Sequence, residues 1–221
     1  MLENKELKRR AVKLTYQNKL SHLSSVLTSI DIIKEIYDQI AVGNDKDIFI
    51  LGHGHSGLAL YTTLESLYPR VDAQTYVREL GIHPTRLNYP IESTEFIDCS
   101  TGSLGQGLPI AVGMALARPE RTIYVLESDG SMAEGSNWEA LRIIEDKHID
   151  NIQVYVNING QGAYSKIDSY KLAKRLQAFY PAIHLRYTNL DEYPHLKDMG
   201  VLQHYKILDE KEYSSIMEVL K

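Results

Sequence analysis

Residues 121–161, RTIYVLESDGSMAEGSNWEALRIIEDKHIDNIQVYVNINGQ, decide how the fold is read. Two short apolar runs, RTIYVLE (121–127) and NIQVYVNI (151–158), have the length and β-branched content of buried strands. Between them AEGSNWEALRIIEDKH (133–148) carries apolar residues at helical spacing. Strand, helix, strand is the unit of a parallel sheet, and ligands in such sheets bind beyond the carboxyl ends of the strands. Ser128-Asp129-Gly130 follows the first run and Asn159-Gly160-Gln161 the second. With the two strands as neighbours, Asp129 and Asn159 emerge side by side. A carboxylate, an amide oxygen and the Gln161 backbone carbonyl make a hard oxygen site of the kind Mg²⁺ or Ca²⁺ accepts. The same residues also suit a structural reading, with Asp129 capping the next helix and Asn159 making a turn.

Working outward, the chain keeps alternating. Helical spacing is present over 3–18 and 29–40, and DIFIL (47–51) reads as a buried strand ending at glycines. Residues 55–68 and 72–80 read as helices. Residues 81–100 form a long polar stretch with two prolines, and such stretches inside compact domains are usually functional or mobile. LGQGLPIAVGMALA (104–117) is a small-residue helix, SYKLAKRLQAFY (169–180) a further helix, IHLRY (183–187) a strand and DEKEYSSIMEVLK (209–221) a closing helix. The result is an α/β fold with a mainly parallel central sheet. No repeat or linker divides it, so residues 1–221 are read as one domain.

Two more groups of residues fall at strand ends. Thr101-Gly102-Ser103-Leu104-Gly105-Gln106-Gly107 leads into the small-residue helix. Its glycines permit close backbone approach to a ligand or, equally, tight helix packing; it is neither a P-loop nor G-x-G-x-x-G. His22, His53, His55 and His83 all lie in the first half, with His53 and His55 directly after a strand. An H-x-H there raises a metal-dependent hydrolase built on His53, His55 and Asp129. Ser56 in GHSG falls short of a nucleophile elbow, because Leu58 stands where the second glycine is required. His148, His184, His195 and His204 are read as structural or surface residues.

Composition narrows the classes. With 24 Lys+Arg against 29 Asp+Glu, the net charge of −5 gives no general attraction to nucleic acid or anionic lipid. One cysteine, Cys99, excludes an internal disulfide and a cysteine-based zinc cage, and fits a reducing cytoplasm. No apolar run approaches the roughly 20 residues of a membrane span. The first residues, MLENKELKRR, are charged and carry no signal-peptide core.

Taken together, the segments resemble the thiamine diphosphate enzymes of the transketolase type, and above all the amino-terminal, diphosphate-binding subunit of split transketolases. STGSLGQGLPIAVGMALA (100–117) matches the family's glycine segment almost letter for letter. SDGSMAEGSNWEAL followed by NIQVYVNINGQ resembles its thiamine diphosphate motif, G-D-G and an asparagine some thirty residues on. SHLSSVLTSIDIIKEIY resembles S-G-H-P-G…V-D-I-L, and DIFILGHGHSGLALY resembles D-R-F-V-L-S-K-G-H-A…L-Y. The match is strong over about 9–162 and weak over 165–221.

The resemblance implies a three-layer α/β/α thiamine diphosphate-binding fold. It implies that Asp129, Asn159 and the Gln161 backbone oxygen hold Mg²⁺ (or Ca²⁺). Gly130 would lie against the diphosphate, Gly102 and Leu104 would line the cofactor cleft, and His55 would hydrogen-bond the diphosphate. His22 would reach the substrate and help move its protons, with His83 a looser match to another family histidine. Glu134 matches an acidic residue near the contact between subunits. Some positions depart from the pattern: Ser128 replaces the first glycine of G-D-G, His53 stands where lysine or asparagine is usual, and Leu23 replaces a proline. The late histidine that transketolases use on sugars has no clear counterpart.

In the family, a glutamate from a separate pyrimidine-binding domain activates the cofactor, and nothing in this chain resembles that domain. The resemblance therefore implies a second polypeptide and an α₂β₂ assembly, silent as an isolated chain. The Trp138 helix and the small-residue face of 105–115 are candidates for the contact, or for packing within the domain. The implied reaction transfers a two-carbon ketol unit from a ketose to an aldehyde. Two alternatives stand beside it: a thiamine diphosphate-dependent 2-oxoacid decarboxylase or carboligase subunit, and a non-catalytic subunit that has lost turnover.

Overall fold

The computed structural model describes residues 3–86, 96–162, 164–197 and 199–221. Four parallel strands, β1 (Ile48–Leu51), β2 (Ile123–Ser128), β3 (Ile152–Ile158) and β4 (His184–Tyr187), lie in the order β1-β2-β3-β4. β2 pairs with β3 from Ile123↔Ile152 to Ser128↔Asn157, so the two strands end in step. The helices are α1 (Asn4–Asn18), α2 (Leu23–Val42), α3 (Gly57–Leu67), α4 (Ala73–Leu80), α5 (Gly107–Ala117), α6 (Gly135–Asp146), α7 (Ser169–Phe179) and α8 (Glu210–Val219).

Alternation along the strands builds three layers. Ile48, Ile50, Ile123, Val125, Ile152, Val154 and Val156 point to one face and pack under α5, α6 and α7. Phe49, Leu51, Tyr124, Leu126 and Tyr155 point to the other, under α1–α4 and α8. A fully buried Ile or Leu contributes roughly 2 kcal/mol. Each sheet face is thus a stabilising core, as a parallel sheet requires.

The four strands fall within two residues of their sequence positions. α2 does not: it starts at Leu23, six residues before the 29–40 expectation. Its first turns carry Ser24, Ser25, Thr28 and Ser29, which weaken the apolar signal yet are all buried. Further along, Ile32, Ile33, Ile36 and Ile40 supply the apolar face. α2 therefore packs on the sheet by its carboxyl half and presents hydroxyls to the strand ends by its amino half. A short 3₁₀ helix at Gly200–Tyr205 was not anticipated, since a turn or two shows no periodicity. Of the polar 81–100 stretch, residues 87–95 lie outside the described residues. No helix among the described residues is long and apolar enough to cross a membrane.

Candidate functional site

A cleft of about 130 Å³ opens at the carboxyl ends of β1, β2 and β3. Its lining takes His53 and His55 from the turn after β1, Ser128, Asp129 and Gly130 after β2, and Asn157, Asn159 and Gln161 after β3. Leu104 comes from the glycine segment, His22 and Ser25 from the start of α2, and His204 and Tyr205 from the 200–205 turn.

Asp129 is 1% exposed. Its Oδ1 accepts the Gly130 N–H at 2.9 Å, and its Oδ2 accepts the N–H groups of Asn159 at 3.0 Å and Gly160 at 2.6 Å. Asn159 Oδ1 in turn accepts the Gln161 N–H at 2.9 Å. Burial pushes the Asp129 carboxyl up to about 6 despite these donors. No salt bridge involving Asp129 is present among the described residues, so the buried carboxylate has no cationic partner. The surroundings supply oxygen donors and lack a counter-charge, which is what a bound divalent cation would correct.

Ser128, in place of glycine, serves the turn. Its N–H donates to Ser131 Oγ at 2.9 Å, and its own Oγ accepts the Ser131 N–H at 3.1 Å. The Ser131 hydroxyl also lies 2.6 Å from Glu127 Oε2, and burial pushes the Glu127 carboxyl up to about 7. Glu127 fills the space left by two glycines. A Cβ on Gly52 would lie 2.0 Å from Glu127 Oε1, and one on Gly107 only 2.4 Å from Gly52 Cα.

Four imidazoles meet in the cleft. Ring centroids are 5.0 Å apart for His22 and His55, 5.6 Å for His53 and His55, 5.9 Å for His22 and His204, and 6.3 Å for His55 and His204. Burial, reinforced by His204 and His83, pushes His22 down to about 4. Burial first, then the neighbouring imidazoles, holds His55 well below the ordinary histidine range. Both are thus neutral near pH 7, as is His53, which burial brings to about 4. Such a cluster repels added protons, so its rings face the cleft as neutral hydrogen-bond donors and acceptors.

His22 precedes α2 in a left-handed conformation, φ 65°, which costs energy for a non-glycine residue. Its N–H donates to His204 O at 2.9 Å, and its Nδ1 lies 2.8 Å from Ser21 Oγ. The backbone bond holds His204 beside His22, a residue more than 180 positions away in the chain. Its ring Nε2 stands 3.4 Å from Gly162 O, touching the loop after Asn159. The expectation that His204 is a structural or surface residue is therefore corrected: it lines the cleft. Only its place in the weakly matching GVLQHYKILDEKEYSSIM segment hinted at this. Ser25, Asn157 and Tyr205 are further lining residues that no motif marked. Asn157 donates to Thr28 Oγ1 at 3.1 Å and accepts from Thr188 Oγ1 at 2.5 Å, so it joins α2 to the sheet behind the cleft.

The other predicted residues lie at the margin. His83 is exposed and packs on Gly102, 3.6 Å from where a Cβ there would sit; neither lines the cleft itself. Glu134 precedes α6 and packs on Gly105, whose φ of 82° and 2.6 Å approach to Glu134 Cβ require glycine. Trp138 turns inward: its Nε1–H donates to Met132 O at 2.9 Å and its ring meets Phe179 edge-on. The hydrolase reading loses its first ligand, because both ring nitrogens of His53 face protein atoms, Ser29 Oγ at 2.9 Å and Leu126 O at 3.2 Å.

Comparison with known proteins agrees with this architecture. The profile of the family described as transketolase, thiamine diphosphate binding domain, matches residues 17–189. One subunit of an apulose-4-phosphate transketolase from Actinobacillus succinogenes is 32% identical over 165 residues, 67% of this chain and 58% of that protein. A 6-deoxy-6-sulfo-D-fructose transketolase subunit from a Clostridium species is 35% identical over 121 residues, 52% of this chain and 43% of that protein. Among solved structures, transketolase from Campylobacter jejuni superposes with a TM-score of 0.72 at 18% identity, covering 99% of this chain and 42% of that one. The chain thus spans about half the length of relatives it matches, and it belongs to the transketolase family through the thiamine diphosphate-binding domain.

Proposed function

We propose that residues 1–221 form one diphosphate-binding domain, the half of a split transketolase-type enzyme that holds thiamine diphosphate through Mg²⁺. The enzyme would transfer a two-carbon ketol unit from a ketose donor to an aldehyde acceptor. The observation that carries this reading is Asp129, buried without a cationic partner at the meeting point of Asn159, Gln161 and a neutral histidine cluster. The groups nearest the carboxylate, Asn159 and Gln161, offer oxygens. Among the described residues no three His, Cys, Asp or Glu side chains are grouped to hold a metal unaided. That suits magnesium, which completes its octahedron with phosphate oxygens and water; calcium accepts the same donors.

When bound, thiamine diphosphate would supply a nucleophilic thiazolium carbon for a carbonyl and a cationic ring to serve as the electron sink for cleavage of the adjacent C–C bond. The chain's own residues bind and orient. Asp129, Asn159 and the Gln161 carbonyl would hold the cation, His55 would donate to the diphosphate, and Gly130, Gly102 and Leu104 would flank it. His22 has Nδ1 against Ser21, which leaves Nε2 to hold or pass a proton at a substrate oxygen. His204 faces the same space, and His83 would act from the rim.

The pyrimidine-binding half would come from a partner chain in an α₂β₂ assembly. The outer face of α5 supports this: Leu116 is 53% exposed and Pro109 and Gly113 beside it are exposed too, on a helix with no charged residue. Glu134 lies near that face, packed on the glycine segment that leads into α5. Both relatives named above are described as subunits, and their names carry different sugars, so a ketose is the substrate class the reading supports. We place the enzyme in the cytoplasm, in keeping with its single free cysteine.

Affinity isolation of the chain from its native cells, with mass analysis and extraction of cofactor, tests the reading. A second polypeptide with near-stoichiometric thiamine diphosphate is expected. A lone chain that takes up none, even with Mg²⁺ and thiamine diphosphate supplied, would favour the reading without turnover.

A further inference from the structure

His53 is 0% exposed, yet its ring forms part of the cleft floor. Its two nitrogens are committed to different elements. Leu126 O accepts only, so Nδ1, 3.2 Å away, carries the proton in the neutral ring. Nε2 is then an acceptor facing Ser29 Oγ at 2.9 Å, where it shares the single hydroxyl proton with Ser25 O at 2.7 Å. One imidazole in this way ties α2 to β2 through the turn that follows β1. The backbone around it has no slack, since a Cβ on Gly54 would lie 2.6 Å from Thr101 O.

His55, two residues on, is held differently. Its ring nitrogens make no hydrogen bond with the described residues, and its ring neighbours are the imidazoles of His22, His53 and His204. Of these His53 is the most deeply buried and the only one with hydrogen-bond partners at both nitrogens.

We propose that His53, clamped between Ser29 and Leu126, is a positioning residue that orients His55 toward the ligand side of the cleft. The proposal rests on the cofactor reading above, in which His55 meets the diphosphate. Ser29, whose hydroxyl also reaches Ser25 O, faces His53 from α2, Leu126 from β2, and His55 from its own turn; the Glu127 carboxyl stands behind Gly52. The clamp requires a donor toward Leu126 and an acceptor toward Ser29. A glutamine amide offers both and a leucine offers neither.

The variants H53L, H53Q and S29A in the full chain test it. Long-range ¹H–¹⁵N NMR of the histidine rings reads tautomer and environment without ligand. Calorimetry then reads thiamine diphosphate affinity, with Mg²⁺, in the complex with the partner chain. The wild type is expected to show His53 protonated at Nδ1. H53L should shift the His55 ring signals and weaken affinity about tenfold, the scale of one lost buried hydrogen bond. H53Q should restore both. S29A should move the His55 signals in the same direction by a smaller amount, and it decides the matter where H53L does not fold. Unmoved His55 signals with unchanged affinity, or an H53Q as damaged as H53L, would overturn the proposal. A wild-type complex that binds no thiamine diphosphate would overturn the cofactor reading instead, while the ring signals still decide the role of His53.

Discussion

The Asp129 carboxylate reaches from the end of β2 to the turn after β3, where it accepts the Gly160 N–H at 2.6 Å and the Asn159 N–H at 3.0 Å. A single side chain therefore fixes the loop that would supply the other two cation ligands. Replacing it with alanine strands these two N–H groups and that of Gly130, each costing about 1–3 kcal/mol when buried. D129A is expected to melt several degrees lower, whereas D129N keeps one acceptor oxygen for the Asn159 and Gly160 N–H groups and loses the charge and the bond from the Gly130 N–H. Thermal unfolding of the two variants separates these effects: equal losses would show that the loop does not depend on the carboxylate oxygens.

Gly52 and Glu127 are matched in volume. G52A places a methyl 2.0 Å from a carboxylate oxygen that cannot swing away, because its other oxygen is bonded to Ser131. Denaturant unfolding should show a loss of about 3 kcal/mol, the upper range for overpacking. Trimming the neighbour as well, in G52A/E127A, should recover part of it; a double variant no more stable than G52A would place the strain elsewhere.

The pH dependence of stability should carry the signature of His53. Its folded value of about 4 lies below the ordinary 6.5. Between those values the unfolded chain binds the proton and the folded chain does not, so stability falls as pH drops from 6.5 toward 4. Asp129, raised to about 6, and Glu127, raised to about 7, act in the opposite sense. The difference between wild type and H53Q reads His53 together with its effect on His55, which acts in the same sense. It should move against the wild type by up to about 3 kcal/mol across that range, and a flat difference would contradict a buried neutral ring.

Much of the fold could be read from the chain because β1, β2 and β3 are buried on both faces, while β4 is a half-buried edge. DIFIL, RTIYVLE, NIQVYVNI and IHLRY are apolar or β-branched runs closed by glycine or polar residues, and each became a strand. Asp129 and Asn159 were expected side by side, and in-step pairing of β2 and β3 places them so. The amino end of α2 was hidden because Ser24, Ser25, Thr28 and Ser29 look like a solvated stretch, although Thr28 meets Asn157 and Ser29 meets His53. His204 was hidden for another reason. It is brought in by one backbone bond to His22, and such a long-range contact leaves no periodic trace.

The His204 ring can be tested apart from that contact. H204A removes a half-buried ring at the cleft edge and leaves the backbone bond to His22 in place. The turnover of the complex at saturating cofactor should fall about tenfold or more, on the scale of one positioned acid–base or hydrogen-bonding group. The melting temperature should shift little. Unchanged turnover would limit His204 to holding the Gly162 loop.

The most direct measurement is calorimetric titration of the complex with thiamine diphosphate, with Mg²⁺ and again with a chelator, for wild type and D129N. Near-stoichiometric binding that requires the cation and is lost in D129N is the predicted result. Binding that persists both in chelator and in D129N would contradict the assignment of Asp129, and with it the claim that this chain holds the diphosphate end of the cofactor.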